Sequence, residues 1–123
     1  MGCSGCRRAD VTRPLRRGAL VWVDLDPTRG QQGERPALVV CNDDYLAAVP
    51  GLVIVVPLTT ADRGWPHHVP VTGEHTGLTR TSFAMTEQPR TIARERVVRH
   101  AGRADAATCS AVDQWLRDFL FAA

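Results

Sequence analysis

Two uninterrupted apolar runs, Ala37 to Cys41 and Leu52 to Val56, constrain this chain more than any other feature. Neither alternates with polar residues as a half-solvated strand would, so each reads as a central strand covered on both faces. Such strands need neighbours along both edges and apolar cover above and below. Leu20 to Asp26 supplies one neighbour. Its Leu20, Trp22 and Asp24 share one face and Val21, Val23 and Leu25 the other, which sets a nearly all-apolar face inward. A Gly-containing loop, Pro27 to Glu34, then leads into the run Pro36 to Asn42, hinged at Arg35-Pro36.

The remaining elements are short. Asn42-Asp43-Asp44 can cap a helical turn through Ala48, and Pro50-Gly51 turns the chain into the next strand. Val69 to Val71 reads as a short strand and Gly73 to Arg80 as a turn-rich connection. Ser82 to Thr86 and Arg99 to Gly102 read as strands, with a helical turn over Ile92 to Val97 between them. From Asp105, a plausible N-cap, the period changes to that of a helix: Val112, Trp115, Leu116, Phe119 and Leu120 fall on one face. The expected fold is mainly β with α, a small, strongly bent antiparallel sheet or barrel with a C-terminal helix. Residues 15–123 make one domain. Met1 to Pro14, polar and aperiodic, reads as a flexible N-terminal extension. A chain of 123 residues buries roughly two-thirds of its unfolded surface.

Composition excludes more than it assigns. All 15 basic residues are Arg, yet the net charge is only +2, so total charge does not announce a nucleic-acid partner. Codon bias accounts for most of these arginines, and a phosphate role is reserved for those inside a motif. No run approaches the roughly 18 apolar residues of a membrane span, and no signal-peptide core is present, so a cytoplasmic protein with reduced thiols is expected. Cys3-Ser-Gly-Cys6 has the spacing of half a zinc site, but Cys41 and Cys109 stand alone and give no second pair, so a structural or chance origin is read for it and not a ligand role. His67 and His68 are adjacent. Strand alternation would aim them at opposite faces, and no metal site is read from them. His75 and His100 are isolated. Trp65, beside Arg63, can stack on a base, with packing under its own loop as the competing reading.

Three positions carry chemistry. Arg35 stands where the loop enters a buried strand, and Thr59 where Leu52–Leu58 ends, so each polar group sits on a rigid support. An exposed strand-edge arginine and a strand-terminating threonine are the bland alternatives, and either would win for a residue standing alone. The third is Glu87, in the segment Glu87-Gln88-Pro89-Arg90-Thr91-Ile92. Together these segments resemble the MazF/PemK/Kid family of toxin endoribonucleases, from Arg17 to the C-terminal helix.

That resemblance implies an SH3-like β-barrel acting as a homodimer on single-stranded RNA, without metal or cofactor, and held inactive by a cognate antitoxin. Arg35, in Arg35-Pro36-Ala37-Leu38-Val39-Val40, matches the family's catalytic arginine, and Thr59 its essential hydroxyl; Thr60 points the other way. Glu87 can accept a 2′-OH proton, an arginine being a poor base, while a solvated carboxylate is the competing reading. The implied RNA contacts are Arg29, Gln31, Gln32, Glu34, Pro36, Gln88 and Arg90. The expected products are a 2′,3′-cyclic phosphate and a 5′-hydroxyl. Two departures stand out: the loop over the groove is shorter than in most relatives, and Met85 replaces an arginine of the Kid branch. The rival readings are a non-enzymatic gyrase poison of the same fold, acting through C-terminal aromatics such as Trp115, Phe119 and Phe121, and an inactive RNA-binding relative.

Overall fold

The computed structural model describes residues 14–26, 28 and 33–121. The N-terminal extension up to residue 13, with Cys3 and Cys6, lies outside them, as do Arg29, Gln31 and Gln32 of the loop. The described chain runs β1 (Ala19–Asp24), β2 (Glu34–Val39), α1 (Asp43–Ala48), β3 (Leu52–Thr59), β4 (His68–Pro70), β5 (Phe83–Met85), β6 (Arg90–Ala93), a 3₁₀ turn (Arg94–Arg96), β7 (Val97–Arg103) and α2 (Ala106–Leu120).

The strand order is β4-β5-β3-β2-β1-β7, with β6 also on β3, and every pairing is antiparallel. β3 is the hub. Its first half pairs with β6, from Leu52↔Ala93 to Val55↔Arg90, and its end pairs with β5, at Leu58↔Ala84 and Thr59↔Phe83. On its other edge Val55, Val56 and Pro57 pair with Val39, Leu38 and Ala37 of β2. Among the described residues no pair joins the two ends of this order, so the expected barrel is instead an open, strongly bent sheet. Register shifts between β1 and β7, after Leu20 and after Trp22, add to the bend.

Both apolar runs do sit centrally, and their alternate residues feed two separate cores. Leu20, Leu38, Val56 and Leu58 pack on one face with Val69, Ala84, Cys109 and Val112. Val21, Val23, Ala37, Val39, Val53 and Val55 pack on the other with Leu46, Ile92 and Val97. Helix α2 covers the first face with the periodic stripe Val112, Trp115 and Leu116; α1 covers part of the second through Leu46. Both helices begin on side-chain caps. The Asn42 Oδ1 accepts from the Tyr45 N–H at 2.9 Å, and the Asp105 Oδ1 from the Thr108 N–H at 2.9 Å. The Thr108 N–H, with the hydroxyls of Thr108 and Thr72, holds the Asp105 carboxyl below its ordinary pKa. Among the described residues no helix is long and apolar enough to cross a membrane.

One expected element is different. Ile92 and Ala93, read as part of a helical turn, extend β6, and only Arg94–Arg96 form the 3₁₀ turn. The open edge of β3 recruits this segment, and pairing outweighs the weak local preference. Arg94 then locks the region. Its Nε donates to the Leu52 carbonyl at 2.8 Å, and one terminal nitrogen donates to the Leu46 carbonyl and to that of Val49, the latter at 3.0 Å. One guanidinium thus ties the C-terminus of α1 to the start of β3.

Arg94→Met keeps the apolar stem and strips the carbonyls of their donors. It should lower unfolding free energy by about 1.5–3 kcal/mol, read as a shift in urea midpoint at constant slope. A change below a few tenths would mean that solvent replaces the guanidinium.

Candidate active site

The register between β2 and β3 sets the first half of the site. Ala37 faces Pro57 in the outermost pair of this ladder, and Arg35 and Thr59 each lie two residues beyond it. Both lie where their strands leave the core. Arg35 is exposed and Thr59 half-buried, whereas Ala37 and Pro57 just behind them are buried. An arginine Nη1 bond to the Glu34 carbonyl at 2.9 Å bends the Arg35 side chain back along its own strand. The Thr59 Oγ1 accepts from the Ala61 N–H at 3.1 Å. That bond uses a lone pair of the hydroxyl and not its proton. Thr60 is exposed, on the next residue of the chain.

The base of the loop before Arg35 is closed by backbone. The Leu25 N–H donates to the Gly33 carbonyl at 3.2 Å, and a Cβ on Gly33 would stand 2.2 Å from the Asp26 carbonyl oxygen. Only glycine permits this approach. Glu34, expected as an RNA contact, is instead engaged by Arg99 at 2.8 Å, and Arg99 lies over the Trp22 ring with 4.8 Å between guanidinium carbon and centroid. Glu34 therefore braces β2 against β7. Pro36 pairs with Trp22 in β1, and Arg90 is exposed at the start of β6.

In the second half of the site the sequence singled out Glu87 and Gln88 but missed the two histidines. His68 Nε2 lies 3.1 Å from both carboxylate oxygens of Glu87, and His67 Nε2 lies 3.5 Å from Oε1. The argument that adjacent histidines face opposite ways fails here for a local reason. The His68 N–H closes a turn on the Trp65 carbonyl at 3.1 Å, so His67 belongs to the turn Trp65–His68 and strand alternation starts only at His68. The two rings meet edge to face, with centroids 5.0 Å apart. Trp65 stacks on His67 at 5.5 Å and abuts His68 at 4.8 Å; Trp115 and Phe119 of α2 flank His67 from the other side. Trp65 therefore packs under its own loop, though nearly half of it remains exposed (47%). A Trp-Pro step just before a His pair was the one available signal that the strand had not yet begun.

Burial pushes the Glu87 carboxyl up. The His68 hydrogen bond, with help from the backbone and from Gln88 at 3.2 Å, outweighs it and holds the group below the usual carboxylate range. Glu87 is thus an anion at neutral pH. Gln88 Nε2 also reaches the Met85 sulfur at 3.8 Å, so Met85 orients an amide where the Kid branch would place a charge. Thr86, Glu87, Pro89, Leu116, Phe119 and Leu120 line a cavity of about 310 Å³. A larger one, about 540 Å³, lies between Arg16, Arg17, Arg103, His75 and His100, away from Arg35 and Thr59. The smaller cavity adjoins Glu87. Arg35–Thr59 and His67–His68–Glu87 thus form two groups on the sheet, with β5 between Thr59 and β4.

Comparison with known proteins agrees along the chain. The family model for the PemK-like, MazF-like toxin of type II toxin-antitoxin systems matches residues 16–120. Endoribonuclease MazF9 of Mycobacterium tuberculosis is 39% identical over 110 residues, which cover 84% of this chain and 93% of that protein. The crystal structure of MazF from Deinococcus radiodurans superposes with a TM-score of 0.71 at 27% identity, covering 86% of this chain and 96% of its own. A MazE-MazF crystal structure from the same organism gives 0.70 at 25%, covering 86% and 95%.

Because the loop closure leaves no room for a Cβ, Gly33→Ala should displace the start of β2. An overpacked contact of this kind typically costs about 1–3 kcal/mol. Thermal unfolding should show the loss, and an unchanged melting temperature would mean that the base of the loop is not closed in solution.

Proposed function

The chain belongs to the PemK-like, MazF-like toxin family, and from that membership we propose that it is an endoribonuclease toxin, neutralised by a protein antitoxin. The observation that carries this reading is 39% identity to an endoribonuclease over most of both lengths, in a chain whose Arg35 and Thr59 each lie two residues past the paired Ala37 and Pro57. Seating of a MazE partner on a fold like this one supports an antitoxin partner here.

The chemistry follows from what these groups can do. The substrate is single-stranded RNA, whose unpaired bases can splay so that a 2′-OH lines up with the adjacent phosphate. The 2′-oxygen attacks that phosphorus while the bond to the 5′-oxygen of the next nucleotide breaks. That leaving oxygen takes a proton from solvent water, so a 2′,3′-cyclic phosphate and a 5′-hydroxyl result. Arg35 holds two phosphoryl oxygens at once and stays charged at any working pH, so it offsets the charge of the pentacoordinate phosphate. Thr59 donates its remaining proton to the same oxygens. Glu87, kept anionic by His68, takes the 2′-OH proton, and His68, itself 5% exposed, fixes the carboxylate's direction. Gln88 reads a base edge, Arg90 and Pro36 line the strand's approach, and Arg29, Gln31 and Gln32 supply further RNA contacts. Two copies of a sheet this small form the groove, so the working unit is a homodimer. The gyrase-poison alternative rests on C-terminal aromatics. Here Trp115 is half-buried against His67 and the first core, which supports a packing role for it.

Cleavage of total RNA by purified protein tests the reading. Arg35→Ala should abolish it, and Arg35→Lys should impair it badly, because a point charge cannot reproduce the fork. Thr59→Val should cost about a hundredfold or more in rate, with Thr60→Val mild. Near wild-type cutting by a folded Arg35 variant would remove the catalytic assignment, and exchanged ranks for the two threonines would shift the register by one.

An oligonucleotide with one 2′-deoxy sugar just 5′ of the scissile phosphate should bind and resist cutting. If it is cut at the same bond, water or a protein group is the nucleophile and the mechanism above is wrong.

A further inference from the structure

The His67–His68–Glu87 cluster has more donors than proton transfer requires. Imidazole nitrogens and a carboxylate converge from a turn and from the end of β5, and no two of these ligand atoms are more than 4.8 Å apart. Two of the separations, 3.1 and 3.5 Å, already match the roughly 3.3 Å between donors around a tetrahedral ion with bonds near 2.0–2.1 Å. The widest gap closes by swinging His67, the more exposed of the two rings, whose support is a turn and not a strand. His68, buried and bonded to both Glu87 oxygens, is the fixed ligand.

We propose that these residues bind one divalent transition cation of the zinc, nickel or copper class, and that the bound ion inhibits the enzyme. Two imidazoles and a carboxylate select borderline cations over magnesium or calcium, which want oxygen donors alone. The ion takes the same Glu87 oxygens that the reaction needs for the 2′-OH proton, so loading the site silences the base. This inhibitory half rests on the proposed catalytic role of Glu87; the binding half does not.

The second shell limits the affinity. His68 Nε2 now bonds Glu87, and ligation would send its proton to Nδ1, which is buried with no hydrogen-bond partner. Ligating histidines normally have such a partner, and lacking it costs about 10–100-fold in affinity. A micromolar, reversible site is expected, and not a permanently loaded structural one.

Trp65 and Trp115, 4.8 and 6.1 Å by ring centroid from His68 and His67, report occupancy directly. Copper(II) or nickel(II) should quench tryptophan emission of the reduced full chain with one-site saturation, and calorimetry with zinc(II) should give one ion per chain. His67→Ala and Glu87→Gln should each weaken both by about tenfold or more. Zinc should slow RNA cleavage by wild-type protein and EDTA should restore it, and the zinc sensitivity of His67→Ala, taken relative to its own metal-free rate, should fall by about tenfold or more. Binding unchanged in His67→Ala would overturn the site and move the ion to other ligands, such as the cysteines. Cleavage that zinc accelerates, or that EDTA abolishes, would overturn the inhibitory role. If Glu87→Gln still cuts RNA, the proton-acceptor reading falls, and the calorimetry alone decides whether an ion binds.

Discussion

Everything in this molecule hangs on the hydrogen bonds of β3. An eight-residue strand buried on both faces has backbone groups along two edges, and each unpaired group would carry a desolvation penalty of about 1–3 kcal/mol. No single neighbour is long enough to satisfy it. β2 pairs with its central residues, β6 with its beginning and β5 with its end. The sheet splits where β6 gives way to β5, and that division produces the bend. The same division puts Thr59 at a rim: beyond it the chain has left the ladder and its hydroxyl faces outward from the core.

Arginine does two kinds of work in the chain. Arg94 and Arg96 donate to backbone carbonyls of Leu46, Val49, Leu52 and Asp24, and so serve as fasteners between elements. Arg99 and Arg17 pair with the carboxylates of Glu34 and Asp113. Arg35 differs in its position, exposed at the mouth of β2, two residues beyond the Ala37–Pro57 pair. The guanidinium suits both roles for the same reason: a planar fork of donors fits two acceptors at once, whether those are carbonyls or phosphoryl oxygens.

The carboxylate side of the site depends on packing as much as on charge. Glu87 lies in a turn after β5, where a solvated side chain would point anywhere. His68, pinned by Trp65 and by the Ala84–Val69 pairing behind it, presents Nε2 to both oxygens and fixes one direction. The ring stack from Trp65 through His67 to Trp115 and Phe119 ties the turn to α2. The C-terminal helix therefore does more than cover a core: it holds one wall of the cavity beside Glu87.

Much of this was legible in the residues alone, because it follows from local periods. The unbroken runs Ala37–Cys41 and Leu52–Val56 announced doubly buried strands, Asn42 and Asp105 announced helix starts, and the spacing from Val112 to Leu120 announced the helical face. Arg35 and Thr59 sit at the ends of those runs, but it was the resemblance to the MazF/PemK/Kid family that singled them out. What depends on non-local contact could not be read this way. Ile92 and Ala93 favour no structure strongly, and they became strand only because β3 had an unfilled edge. Barrel closure needs two particular strands to meet, and the path of the sheet leaves them apart. The partnership of Glu34 with Arg99 spans 65 residues. The convergence of His67 and His68 on Glu87 turns on one backbone bond, from the His68 N–H to the Trp65 carbonyl, which delays the strand by a residue. Alternation decides where a side chain points only once the strand has begun, and where it begins is decided by the tertiary structure.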